Sequence, residues 1–220
     1  MVAFFIHKTH IFWKILHYKS NLAIIRVINI IFTKGCMKMN QTLKVIASRY
    51  SCRAYDGVLP SREQLEAIAL AAVQSPSGMN RQPWKIVVIT DKSFIEEMDN
   101  EGMRILSELE DKAIYDRMMS RGGTLLYNAP CMFFILKKPN ADLDCGIVSE
   151  NIALAASSMD LGNCICGLAR IPLSGEKGEA FKQKIGIEGE WEFGMAVLVG
   201  HAKGAGTPHE PDMSKIHFAD

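Results

Sequence analysis

Residues 75–84 read Ser-Pro-Ser-Gly-Met-Asn-Arg-Gln-Pro-Trp and interrupt an otherwise regular pattern. An amphipathic helical pattern precedes them and a run of β-branched residues follows, so they connect a helix to a strand. Two prolines, two serines, a glycine and two side-chain amides give the stretch an irregular backbone and many short polar groups. A packed core does not require such a sequence, whereas it is typical of a binding loop on a rigid scaffold. We therefore expect this loop to hold a ligand.

A second polar segment lies upstream and begins at Arg49, in the sequence Arg-Tyr-Ser-Cys-Arg. The guanidinium groups of Arg49 and Arg53 and the hydroxyl of Ser51 suit a phosphate, because guanidinium binds such anions through paired, charge-assisted hydrogen bonds. In the loop, the amides of Asn80 and Gln82 offer donors and acceptors to the polar edge of a planar ring. Taken singly, each feature has a simpler interpretation: a solvated face for the arginines, and an ordinary turn for Asn80. Together they favour one phosphorylated, planar ligand.

The composition is that of an ordinary globular protein. The chain has 220 residues, of which 48% are hydrophobic and 22% charged, and this is enough for one good core. The first 38 residues contain six of the 25 basic residues and none of the 24 acidic ones. The remainder is therefore net acidic, which argues against a nucleic-acid-binding protein and favours a small metabolite as the partner.

Residues 1–38 differ in character from the rest of the chain. No uncharged run in them approaches the ~20 residues that span a bilayer, and basic residues interrupt the apolar part too often for a secretory signal. An interfacial membrane anchor is the alternative, although polar residues lie all round the helical wheel. We interpret the segment as an atypical extension from a misassigned start, with Met37 or Met39 as the first residue and 39–220 as a single domain. N-terminal sequencing of the native protein tests this interpretation, which a mature chain starting at Met1 contradicts.

The six cysteines lack the density and spacing of a disulfide framework, so we expect reduced thiols and a cytoplasmic protein. Cys164 and Cys166 form a close pair, but zinc sites use wider spacings and further ligands, which favours buried thiols and no metal site. Neither a P-loop nor a dinucleotide-binding glycine motif is present. The six histidines neighbour no serine or cysteine nucleophile motif, so the sequence shows no hydrolase machinery.

Three apolar runs predict the strands of a sheet. They lie at 84–89, 131–136 and 191–199, and each is bounded by turn residues. Their uneven spacing along the chain favours an α+β domain over regular β-α-β units. We expect a loop at 164–167 and an extended arm at 200–220, which is rich in Gly, Pro and His.

Helical patterns fill most of the remaining chain. One helix begins at a capping box, with Ser61 at the cap, and ends before Pro76. The strongest helix, 144–161, is so rich in alanine and serine that we expect it at a subunit interface. Residues 92–120 are helical and charged, and form either a lid or an ordinary pair of surface helices. Two shorter helices are predicted at 41–49 and 174–185.

Four segments of the sequence resemble the nitroreductase family. The loop at 75–84 is the most specific of them, and the likeness extends over roughly residues 41–218. The other three are 49–53, Asn-Ala-Pro at 128–130 and Leu-Gly-Asn-Cys-Ile-Cys-Gly at 161–167. The resemblance implies an α+β fold with a central mixed sheet flanked by helices. It also implies a homodimer with two FMN molecules at its interface and loops from both subunits in each site.

The resemblance further implies which residues contact FMN, in three groups: the phosphate and ribityl region, the flavin edge, and the ring face near N5. These groups are Arg49, Ser51 and Arg53; Ser77, Asn80 and Gln82; and the backbone around Ile165, Cys166 and Gly167, respectively. A basic residue near the C-terminus also reaches the phosphate in the family. Lys215 is our candidate and Lys203 a weaker substitute, because the neighbouring basic partner found in the family is not evident here.

The function implied is that of an FMN-dependent NAD(P)H oxidoreductase. NADH or NADPH would pass hydride to flavin N5, leave, and be replaced by an acceptor such as a nitro compound or a quinone, which gives ping-pong kinetics. No protein side chain is required as a catalytic acid or base, because the cofactor carries the chemistry. The alternatives are a dedicated reaction on the same fold, such as reductive dehalogenation or enone reduction, and a non-catalytic flavin-binding protein.

Overall fold

A four-stranded sheet forms the centre of the fold. Its strands are β1 (Trp84–Ile89), β2 (Cys131–Lys137), β3 (Gly162–Ile165) and β4 (Glu192–Gly200). They stand in the order β1-β2-β4-β3, and all neighbouring strands pair antiparallel. The computed structural model describes residues 39–219, of which 45–219 belong to one compact unit. Every residue of β2 is buried, which agrees with its uninterrupted apolar sequence in a strand covered on both faces.

Helices cover both faces of the sheet. They are α1 (Gln41–Ser48), α2 (Arg62–Val73), α3 (Lys92–Glu108), α4 (Ala113–Met119), α5 (Asp142–Ser158) and α6 (Gly178–Ile185). Because successive side chains of a strand point to opposite faces, β2 contributes to two cores. Phe133 belongs to the core that contains Ile68 of α2 and Ile152 of α5. Phe134 belongs to the other core, which contains Met98 of α3.

The strands and helices with strong sequence signals lie where they were predicted. β1, β2 and β4 match the three apolar runs to within a residue at either end. The capping box before α2 is confirmed: the Gln64 N–H donates to Ser61 Oγ at 3.2 Å, and the Ser61 N–H donates to Gln64 Oε1 at 2.9 Å. The charged segment after β1 is helical as expected and contains α3 and α4.

The predicted loop at 164–167 is partly wrong, because a fourth strand, β3, occupies its start. β3 is only four residues long and begins with Gly and Asn, which disfavour strands, so it has little signal of its own. Its conformation comes from β4, where Cys164 pairs with Leu198. Long-range pairing has therefore decided the structure of a segment whose local sequence predicts a loop.

The predicted helix at 174–185 begins later than expected. A 3-10 helix covers Gly167–Ser174, and α6 begins only at Gly178. Pro172 within the 3-10 helix has no N–H to donate to a regular helical ladder. A Cβ on Gly178 would lie 2.3 Å from the Leu173 carbonyl oxygen, so the chain folds back on itself too closely there for any other residue.

The α+β class is confirmed, but the expected mixed character of the sheet is limited. All pairs among the four strands are antiparallel. The parallel component is a single isolated bridge between Ser51 and Asn163 of β3. This bridge places the segment 49–53 beside the edge strand β3.

The two ends of the chain were predicted to be an extension, at 1–38, and an extended arm, at 200–220. The predicted extension at 1–38 lies outside the described residues. Among the helices of residues 39–219, none combines the length and the apolar character needed to cross a bilayer. The predicted arm after β4 carries a 3-10 helix at Met213–Lys215 and is largely exposed.

Candidate cofactor site

The segment that begins at Arg49 lies along the outer edge of β3. The Cys52 N–H donates to the Asn163 carbonyl oxygen at 2.7 Å, next to the bridge between Ser51 and Asn163. Cys52 is buried, whereas Ser51 is half-buried and Arg53 is exposed. The segment is therefore anchored through its backbone and its thiol, and it offers its hydroxyl and its guanidinium groups to the surface.

Three arginine side chains act electrostatically on Cys164 of β3. Burial raises the pKa of the Cys164 thiol, and the charges of Arg53, Arg49 and Arg121 oppose that shift. Arg49 forms an ion pair with Glu150 of α5, with 3.5 Å between Nε and Oε1. Within residues 39–219, Arg53 has no acidic partner, and its Nη1 donates only to the Ser51 carbonyl oxygen at 3.4 Å. This edge of the sheet thus holds more guanidinium charge than the chain itself neutralises, which suits a phosphate.

The predicted ring-face segment lies at the other end of β3. Ile165 ends the strand, the Cys166 N–H donates to the Ala196 carbonyl oxygen at 2.7 Å, and Gly167 begins the 3-10 helix. Burial raises the pKa of the Cys166 thiol to about 11, so this side chain is a neutral core group. The thiol of Cys166 is therefore unavailable to a ligand, whereas Ile165 and Gly167 are half-buried and can be reached. Ser51 faces Asn163, so at about 3.3 Å per residue this segment begins only roughly 7 Å along β3 from Ser51.

The loop after α2 brings its two amides together. Gln82 Nε2 donates to Asn80 Oδ1 at 3.1 Å, and the Gln82 N–H donates to Ser77 Oγ at 2.9 Å. This arrangement leaves the Asn80 amide N–H groups and the Gln82 carbonyl oxygen free to face outward. Both side chains are exposed. The pair can therefore present donors and an acceptor side by side, as the pyrimidine edge of a flavin requires.

The structure does not join this loop directly to the segment at Arg49. Within residues 45–219, no hydrogen bond or ion pair connects the two; each is attached to α5 instead. Glu150 holds Arg49, and the neighbouring Asn151 donates through Nδ2 to Ser75 Oγ at 2.9 Å. Helix α5 is therefore the common support of both segments. Sequence reasoning missed it as part of the site, because its pattern indicated only close packing.

The C-terminal candidate Lys215 forms an ion pair with Asp212. Its side chain is 81% exposed and lies 3.9 Å from Asp212. For Lys203, the weaker candidate from the sequence, the backbone N–H donates to the Ala54 carbonyl oxygen at 2.9 Å, beside Arg53. The backbone of Lys203 is therefore adjacent to the arginine segment.

A second missed residue is Arg121, on the turn that follows α4. Its N–H donates to the Met118 carbonyl oxygen at 3.0 Å, and Met118 is buried in the same core as Cys164. Gly122 and Gly123 follow with φ of 106° and 73°, a conformation that glycine adopts without strain. The Arg-Gly-Gly sequence after a helix is the only local signal that could have pointed to this turn.

A cavity of about 390 Å³ lies near the start of the predicted lid segment, and none of the predicted site residues lines it. Asp56, Glu96 and Asp99 contribute three carboxyl groups to its wall. Asp99 is buried and accepts a hydrogen bond from the Leu126 N–H at 2.5 Å; burial raises the pKa of this carboxyl. Lys92, which pairs with Glu96, also lines the cavity, so acidic groups still outnumber basic ones in its wall and the cavity is unsuited to the phosphate that the arginines favour.

Comparison with known proteins identifies the family. The model of the nitroreductase family matches residues 46–201 of the chain. The chain belongs to the nitroreductase family. The α+β nitroreductase fold expected from the sequence is thereby confirmed.

Solved structures and a curated relative give the same result. A nitroreductase with bound FMN from Desulfitobacterium hafniense is 45% identical, covers 83% of this chain and 100% of its own, and superposes with a TM-score of 0.81. A nitroreductase with bound FMN from Bacteroides fragilis, with 23% identity, 83% and 100% coverage and a TM-score of 0.74, shares the fold. A protein of Archaeoglobus fulgidus, provisionally named NADH dehydrogenase/NAD(P)H nitroreductase, is 27% identical over 177 residues, 79% of this chain and 92% of its own length.

Proposed function

We propose that this member of the nitroreductase family is an FMN-dependent NAD(P)H oxidoreductase. The observation that carries the proposal is the placement of Arg49, Ser51 and Arg53 along the edge of β3, where the Arg53 guanidinium has no acidic partner among residues 39–219. The FMN bound by the 45% identical structure and the NAD(P)H in the name of the archaeal relative support the choice of cofactor and electron donor.

Each group of predicted residues has a role that its chemistry allows. Arg49, Ser51 and Arg53 bind the phosphate and ribityl region, with Lys215 as the further cation. The amide pair of the loop, with Ser77, contacts the flavin edge. The backbone at Ile165, Cys166 and Gly167 faces the ring. The position of Ser51 beside β3, close to Ile165, and the guanidinium of Arg53, which has no acidic partner among residues 39–219, are consistent with this assignment.

Bound FMN supplies reversible hydride transfer at N5, so the chain itself needs no catalytic acid or base. This agrees with the neutral, buried state of Cys166, the titratable group nearest to the proposed ring face. We infer ping-pong kinetics with NADH or NADPH as the donor and with an electron-poor acceptor such as a nitro compound or a quinone. The turn at Arg121 and helix α4 would contribute to the choice of acceptor.

We also infer a homodimer and a cytoplasmic location. Large apolar side chains are exposed along α2, the loop and the start of α5, among them Leu70, Val73, Met79 and Leu143. A second copy of the chain would cover such a surface, and α5 is the helix whose small residues predicted an interface. Lys215 lies on an arm with further exposed apolar residues, Met213, Ile216 and Phe218, so it would reach the phosphate after that arm has docked. The free cysteines of residues 39–219 agree with a reducing compartment.

The purified protein is expected to be yellow and to release FMN on denaturation. Under anaerobic conditions, NADH or NADPH should bleach the flavin absorbance, and a nitroaromatic or quinone should restore it. Absorbance spectra and chromatography of the released flavin measure this directly. A colourless protein that takes up no added FMN would contradict the proposal, and a yellow protein that neither nicotinamide bleaches would be a flavin carrier rather than an enzyme.

A further inference from the structure

The loop that carries the flavin-edge residues is held in a strained backbone conformation. Met79, Asn80 and Gln82 have φ of 53°, 53° and 47°, in the left-handed region that residues with a Cβ avoid. Asparagine tolerates this region better than most, but methionine and glutamine do not. Strain of this kind amounts to about 1–3 kcal/mol per residue and persists only where surrounding contacts fix the backbone.

Two side chains of α5 make such contacts. The Gly78 N–H, one residue before the strained stretch, donates to Asp144 Oδ1 at 3.2 Å. Asn151 donates through Nδ2 to Ser75 Oγ at 2.9 Å and to the Ala71 carbonyl oxygen at 3.3 Å. Asp144 and Asn151 are two helical turns apart, so they share one face of α5. Asn151 therefore binds the loop at its first residue, Ser75, and Asp144 binds it at Gly78, where the strained part begins.

Inside the loop, further hydrogen bonds close the turn: the Asn80 N–H donates to the Ser77 carbonyl oxygen at 3.0 Å, and the Arg81 N–H donates to the Gly78 carbonyl oxygen at 3.2 Å. The Gln82 N–H donates to Ser77 Oγ, so the backbone from Ser77 to Gln82 forms a closed bend around the strained residues. Met79 lies at its tip with 83% of its side chain exposed, and its side chain therefore contributes little to holding the shape. The contacts with α5 attach the first half of the bend to the rest of the chain; after the bend, the Lys138 N–H donates to the Pro83 carbonyl oxygen at 3.0 Å.

We propose that Asp144 and Asn151 are positioning residues for the flavin edge. They hold the bend so that the hydrogen-bonded amides of Asn80 and Gln82 present their free donors and acceptor to the ring. The inference rests on the proposed function, because it assumes that the loop contacts FMN. It adds two residues that act through the loop, on a helix that the sequence marked only as a packing element.

The test compares FMN affinity and the two-electron potential of the bound flavin in matched variants. Asp144→Ala and Asn151→Ala each remove the hydrogen bonds of one side chain to the loop. Each should raise the dissociation constant for FMN about tenfold, the effect expected for the loss of a typical protein hydrogen bond. Asp144→Asn retains an acceptor oxygen and should behave as the wild type. Asp111→Ala is the matched control, because Asp111 also accepts a backbone N–H, that of Ala113 at 2.9 Å, on a surface turn.

A rescue variant separates positioning from a general structural role. Met79→Gly allows a φ of 53° without strain, so the bend should need less support from α5. Combined with Asp144→Ala, it should recover most of the lost FMN affinity when both variants are titrated well below their melting temperatures, where both are fully folded and a gain in fold stability does not affect the comparison. If a variant loses ten times more affinity for one redox state of FMN than for the other, the two-electron potential of the bound flavin shifts by about 30 mV.

Each outcome bears on the inference. Weakened FMN binding and a shifted potential in the alanine variants, with normal behaviour of Asp144→Asn and rescue by Met79→Gly, would support it. Folded alanine variants with the affinity and potential of the wild type would overturn it, and so would a failure of rescue.

Met79→Gly alone should raise the melting temperature of the protein, and a lowered melting temperature would count against strain in the bend. A wild-type protein that binds no FMN would refute the proposed function and this inference together; wild-type binding with unaffected variants would refute only the inference.

Discussion

Replacing Arg49 and Arg53 together by alanine should raise the dissociation constant for FMN by about a hundredfold to ten-thousandfold. Hydrogen bonds to charged groups contribute about 1.5–3 kcal/mol each, and the double variant removes both guanidinium groups from the edge of β3. Titration of the apoprotein with FMN, followed by the quenching of flavin fluorescence, measures the change. Unchanged flavin content in the double variant would show that the phosphate binds elsewhere.

Matched variants make this result specific. Arg62→Ala removes an exposed arginine that pairs with Glu66 on the surface of α2, and it should leave FMN affinity unchanged. Arg49→Ala should weaken binding more than the loss of its own contact explains, because it leaves the Glu150 carboxylate unpaired close to the phosphate. Glu150→Gln added to Arg49→Ala should therefore recover part of the affinity. The same substitution made alone should not weaken binding by more than a small factor.

The elements that could be predicted from the sequence are those whose local signals agree with their surroundings. β2 reads as a strand because its residues 131–136 are all apolar, and it is covered on both faces. The start of α2 is recognisable because the side chains of Ser61 and Gln64 each accept a hydrogen bond from the other residue's backbone N–H. β3 was missed because Gly162 and Asn163 have no strand preference; its structure depends on β4, which lies far along the chain.

The candidate site shows the same division. Arg49, Ser51 and Arg53 could be proposed from sequence because their residue types and spacing have a chemical meaning, and the structure places them on one strand edge. Asp144, Glu150 and Asn151 could not, because nothing in a helical pattern tells which polar residue meets a distant loop. A single chain also cannot show how an arm such as the one with Lys215 lies when a second copy is present, so that role stays a prediction.

Gly162→Ala should destabilise the fold by about 1–3 kcal/mol and weaken FMN binding as well. A Cβ at Gly162 would lie 2.7 Å from Cys52 Sγ, 3.0 Å from Cys52 Cβ and 3.2 Å from Ala202 Cβ. Contacts this short force the segment around Cys52 away from β3, and overpacking of that kind has an effect of this order. Because Ser51 and Arg53 flank Cys52, the displaced segment would carry phosphate ligands with it. Urea unfolding measures the stability, and FMN titration of the folded variant measures the binding.

A glycine in open space provides the control for that substitution. Gly204 has no atom within 4 Å of its ideal Cβ position, so Gly204→Ala should change the free energy of unfolding by no more than about 0.5 kcal/mol. Cys52→Ala removes the sulfur but not the Cβ, so adding it to Gly162→Ala should recover part of the lost stability and part of the FMN affinity. If Gly162→Ala were as stable as the wild type, the Cys52 segment could not lie against β3 as described. The assignment of the phosphate ligands to this edge would then lose its structural basis, because their placement depends on that contact.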